Sequence, residues 1–148
     1  MARKILSRLR FDAKMVRNVS SLVGEHMWNL PSKPQSQSVA RKFRASLGND
    51  PQMIENLLDL RRADWSGKGQ MSDFSLLDRF ADTVRAVTND PIMPNDLAIN
   101  GHDLMAAGVN GPSIRDFQTA VMPMIWADPE LNNRDWLLKM AAKRKGNK

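Results

Sequence analysis

Two histidines, His26 and His102, are the chain's obvious proton-transfer groups, and they lie in different segments. Cysteine is absent, which excludes a thiolate nucleophile, a thiolate zinc site and a disulfide framework. A hydrolytic triad needs nucleophile, base and orienting group within reach of one another. Here the serines sit mainly at expected caps and turns. Trp65-Ser66-Gly67-Lys68-Gly69 has glycine and lysine together, but neither the spacing nor the preceding strand of a phosphate loop. Asp59 and Asp64 stand five apart on one expected helix, too far for a two-metal clamp. His26 with Asp64 is the one pairing that suggests a remnant metal-dependent phosphohydrolase, and two ligands rarely suffice for a metal site. Capping and packing at a helix C-terminus account for His26 more simply. No cofactor or metal is expected.

Charge is the stronger signal. Net charge is +6. Residues 1–48 carry ten Lys/Arg and two acids, residues 49–96 five and nine, and residues 97–148 seven and five. A basic first third, an acidic waist and a basic tip favour a polyanionic partner, above all nucleic acid. The candidate phosphate contacts are Arg3, Lys4, Arg8, Arg10, Lys14, Arg17, Arg41, Lys42, Arg44, Lys139, Lys143, Arg144 and Lys145.

The elements that must carry these groups read as helices almost throughout, so the expected fold is all-α: a compact bundle of seven or eight helices, divided into lobes at 1–88 and 89–148. Ile5, Leu6 and Leu9 form one stripe. Asp12 can cap a helix bearing Met15, Val16, Val19, Leu22 and Val23. Pro31 and Pro34 impose a loop, and Ser36 or Ser38 starts a helix through Leu47 that Gly48 ends. Asp50-Pro51 opens the next helix, broken at 65–69, and Ser72 or Asp73 opens another. Residues 89–100, with Pro91 and Pro94, read as an extended connection. A short helix follows at 102–107, with Asn100-Gly101 expected to supply a positive-φ turn. Gly111-Pro112 opens a helix that Pro123 should kink or end, and Asn132 or Asn133 caps the last one. No run approaches a membrane span and no signal peptide is evident, so the expectation is a cytoplasmic protein without a membrane partner.

The stretch Leu97-Ala98-Ile99-Asn100-Gly101-His102-Asp103-Leu104-Met105, then Gly111-Pro112, then Asn133-Arg134-Asp135-Trp136-Leu137-Leu138, resembles the C-terminal region of bacterial tRNA nucleotidyltransferases, the CCA-adding enzymes, and the related poly(A) polymerases. Upstream, Ile5 to Phe11, Leu22-Val23-Gly24-Glu25-His26-Met27, Leu47-Gly48 and Leu58 to Asp64 resemble that family's segments in the same order, so nearly the whole chain is covered. Asn100, Gly101, His102, Asp103, Gly111 and Pro112 carry the motif. The family's catalytic head, with its glycine-serine signature and Asp-x-Asp metal pair, has no counterpart here, and its His-Asp dyad would fall before Met1. The resemblance therefore implies a tRNA-binding body and tail without catalysis of its own. Such a module would act alone or as one subunit of a split enzyme, with tRNA or another structured RNA and a separate nucleotidyltransferase head chain as partners. The alternative is a repurposed helical protein, of a kind a phage genome would carry, that binds protein rather than RNA. Ten methionines and four tryptophans would give it an adaptable surface.

Overall fold

Caps and apolar spacing act locally, and they set the helices seen in the computed structural model, which describes residues 1–67 and 73–145, the last as backbone only. Eight α-helices and no strand are found among the described residues. The first two are α1 (Ala2–Arg8) and α2 (Ala13–Glu25), and the Asp12 carboxylate accepts from the Lys14 and Met15 N–H groups to cap α2. Next come α3 (Gln37–Ser46), capped by Ser36, and α4 (Pro51–Gly67), whose first turn donates to Asp50. Gly48 has φ 66°, the left-handed value expected of a residue that ends α3. α5 (Ser75–Ala86) starts where Asp73 accepts from the Ser75 N–H; the expected cap Ser72, and Lys68-Gly69, lie outside the described residues.

The second half holds α6 (Gly101–Ala106), α7 (Pro112–Ala127) and α8 (Arg134–Lys145), with short 3-10 turns at Pro94–Asp96 and Pro129–Leu131. Two expectations are corrected here. Asn100-Gly101 is no positive-φ turn: Asn100 is extended (φ −114°, ψ −179°) and caps α6, with Gly101 as its first residue. The Asn100 side chain accepts from the His102 and Asp103 N–H groups while the Asp103 carboxylate accepts from the Asn100 N–H. This reciprocal pairing satisfies donors a turn would have left open. Pro123 does not end α7, which runs on to Ala127. Pro123 and Thr119 both face solvent, so the carbonyl that loses its N–H partner is left to water.

Buried side chains form two clusters. The first joins α3, α4 and α5 through Phe43, Ile54, Leu57, Leu77, Phe80 and Val84. Trp28 closes it with ring centroids 4.8 Å from both Phe43 and Phe80. The second joins α6, α7 and α8 through Leu104, Phe117, Val121, Ile125 and Leu137. The expected connection at 89–100 is tied to the second cluster. Trp126 Nε1 donates to the Ile92 carbonyl at 3.1 Å, and Asn132 bonds both the Ala98 N–H and the Asp96 carbonyl at 2.9 Å. The hairpin of α1 and α2 differs from both: α1 buries no residue and α2 buries only Val16.

Candidate nucleic-acid interface

Six of the candidate cations lie on that N-terminal hairpin. Arg3, Lys4 and Arg8 project from α1, Arg10 from the bend, and Lys14 and Arg17 from α2; all six are exposed. Arg3, Arg8, Arg10 and Arg17 have no ion-pair partner among the described residues. The one acid in the first 24 residues is Asp12, and its carboxylate is engaged by the α2 cap. The Met15 N–H above all, then the Lys14 N–H and charge, hold the Asp12 carboxyl below its ordinary value. Arg10 has φ 58° where α1 ends. Its N–H donates to the Ser7 carbonyl and the Phe11 N–H to the Leu6 carbonyl, the closure that glycine usually makes. A side chain there strains the backbone, so the position holds a cation where local geometry favours none.

Arg41 and Arg44 are corrected: they are interior groups and cannot reach phosphate. They are 5% and 4% exposed. Arg41 donates to Asp90 at 2.6 Å, to the Trp126 carbonyl at 2.7 Å and to Gln37 at 3.0 Å, which pins α3 to the connection and to α7. Arg44 donates to Asn49, the Val84 carbonyl and Thr88, joining α3 to α5. Burial pulls the Arg44 guanidinium below its ordinary value, and Asp90 and then Glu55 pull it back. The residue between them, Lys42, is exposed.

The C-terminal group splits as well. Lys139 and Lys143 are one turn apart on the face of α8 opposite buried Leu137 and Ala141. Arg144 is exposed but donates to the Asp116 carbonyl at 3.0 Å, tethering α8 to α7. The Lys145 side chain lies outside the described residues.

The motif around residue 100 is a folding device with a hollow beside it. Asp103 also accepts from Arg134 at 2.7 Å, so the α6 cap ties down the start of α8. The Asn100 N–H first, then Arg134, hold the Asp103 carboxyl below its ordinary value. His102 is exposed at this corner, and Gly111 (φ 56°) and Pro112 open α7 as expected. The adjoining hollow, about 540 Å³, is lined by Asn95, Ala98, Asn100, Asp103 and Gln118 among others.

Arg61 lies between His26 and Asp64: it donates to the His26 carbonyl at 2.9 Å and lies 3.9 Å from the Asp64 carboxylate. His26 Nδ1 donates to the Val23 carbonyl at 2.6 Å. No group of three or more metal-ligating side chains occurs among the described residues. Trp28, Trp65 and Trp126 are half-buried; Ile5, Leu9, Phe11, Met15, Val23 and Met27 are exposed on and after the hairpin, and Leu60, Leu76, Met105 and Met124 on other helices. Periodicity assigned several of these to a buried stripe and did not single out Phe11. An aromatic set between Arg10 and Asp12 in a basic run is the signal that marks it. Comparison with protein-family models, curated proteins and solved structures finds no match to this chain.

Proposed function

We propose that this protein is an RNA-binding helical module that grips a folded RNA through phosphate contacts. The α1–α2 hairpin is the principal cationic surface, with the Lys139–Lys143 face of α8 as a second one. The observation that supports this reading is the run of exposed guanidinium groups, without ion-pair partners among the described residues, on a hairpin that buries only Val16. A-form RNA is recognised largely through phosphates and 2′-hydroxyls, which needs such donors and no sequence-reading groups. The resemblance to the body and tail of tRNA nucleotidyltransferases makes tRNA the first RNA to test and a separate nucleotidyltransferase chain the first protein partner. In this reading the chain binds and positions, within the cytoplasm, and performs no nucleotidyl transfer itself.

Filter binding of tRNA across salt tests it. For about six phosphate contacts, affinity falls roughly a thousandfold between 50 and 200 mM salt. Salt-independent affinity, or none, defeats the proposal. The exposed apolar residues of the hairpin favour a second reading, a protein-binding surface. It predicts a stoichiometric protein complex that excess tRNA does not displace.

A further inference from the structure

Between α1 and α2 lies a hollow of about 310 Å³ lined by Arg3, Ser7, Phe11, Ala13, Val16 and Arg17. Arg3 and Ser7 are one turn apart on α1, as are Ala13 and Arg17 on α2, so each helix turns one edge into the hollow. Its chemistry is divided. Two guanidinium groups without ion-pair partners among the described residues provide bidentate anion donors, and Ser7 adds a hydroxyl. Ala13 and Val16 are apolar, and Phe11 keeps 46% of its surface exposed, leaving its ring open to stacking. The volume is at the small end for a ligand pocket, on the scale of one nucleotide.

We propose that this hollow holds a single unpaired nucleotide of the bound RNA, its phosphate between Arg3 and Arg17 and its base stacked on Phe11. The proposal rests on the RNA-binding reading above and adds to it a site for a single-stranded end or bulge beside the duplex grip. With both guanidinium groups on the phosphate and Ser7 on the sugar, no polar side chain lining the hollow is left to read base edges. The site accepts any base. Ser7 is positioned to meet a sugar hydroxyl, which favours RNA over DNA.

The test compares an RNA stem with a blunt end and the same stem carrying a four-nucleotide single-stranded tail, each titrated with the full chain. The tail strengthens binding by the wild type. Phe11→Leu keeps the apolar bulk but loses the stacking face, weakening the tailed RNA roughly tenfold and leaving the blunt stem unchanged. Phe11→Trp retains the gain. The double variant Arg3→Gln with Arg17→Gln lowers the salt slope for the tail by about 0.7, the share of one single-strand phosphate. If the wild type binds both RNAs equally, or Phe11→Leu keeps the tail's contribution, the nucleotide site is overturned while the duplex grip stands. If neither RNA binds, the RNA-binding reading fails and the site fails with it.

Discussion

The N-terminal hairpin and the α3 helix are both arginine-rich, yet they use arginine in opposite ways. On α3, Arg41 and Arg44 are enclosed, and their bonds go to one carboxylate, two backbone carbonyls, two side-chain amides and one hydroxyl. On the hairpin, Arg3, Arg8, Arg10 and Arg17 face solvent with no ion-pair partner among the described residues. An enclosed guanidinium must be satisfied by the protein or the fold loses several kcal/mol, whereas an exposed one is satisfied by water and can exchange that water for phosphate. A count of charges in residues 1–48 merges the two kinds. The comparison separates a cation that holds the molecule together from one that is free to hold something else.

Arg41→Ala is the harshest test of the contrast. It leaves the Trp126 carbonyl and Asp90 without their partner, at a cost of about 3 kcal/mol or more in chemical denaturation. A loss below about 1 kcal/mol would place Arg41 with the surface cations. The complementary change, Arg3, Arg8, Arg10 and Arg17 all to Gln, leaves stability within about 0.5 kcal/mol per site. The same variant lowers the slope of log affinity for tRNA against log salt by about 2.5, with Arg8 and Arg10 on one phosphate each and Arg3 and Arg17 sharing one. An unchanged slope would remove the hairpin from the interface.

Smaller effects sharpen the picture in the second lobe. Asn100→Ala removes the α6 cap and costs about 1 kcal/mol in thermal unfolding. Asp103, held below its ordinary value by the Asn100 N–H and by Arg134, gives a pH signature. A depressed folded value means its contribution is fully present above the ordinary aspartate value near pH 4 and is lost as pH falls through the lower folded value. The difference in melting temperature between wild type and Asp103→Ala therefore narrows on acidification below about pH 4. A difference that widens would reverse the assigned shift. Last, Arg10→Gly relieves the left-handed bend and stabilises the hairpin by about 1 kcal/mol while weakening tRNA binding. A gain in both would detach Arg10 from the interface.

The helices were legible residue by residue because what starts and stops them is local. Asp12, Ser36, Asp50 and Asn133 each bond N–H groups two or three positions away, and Gly48 and Gly111 take the backbone angles their neighbours require. Asn100-Gly101 is ambiguous along the chain: Asn-Gly is both a turn signal and a cap followed by a permissive first residue. The reciprocal Asp103 bond selects the cap. Of the two outcomes Pro123 allows, α7 does not end there, because the freed carbonyl is left to water, which no single residue reports.

Among the candidate contacts, the chain alone determined which residues carry charge and on which helix each one rides, since composition and 3.6-residue spacing are properties of neighbours in sequence. Only the tertiary structure decided which of those charges point inward. Arg41 is enclosed by Asp90, 49 positions away, and by the Trp126 carbonyl, 85 positions away. The Arg3–Arg17 hollow exists because two helices fold back on each other. Burial is set by residues distant along the chain, so no local pattern encodes it.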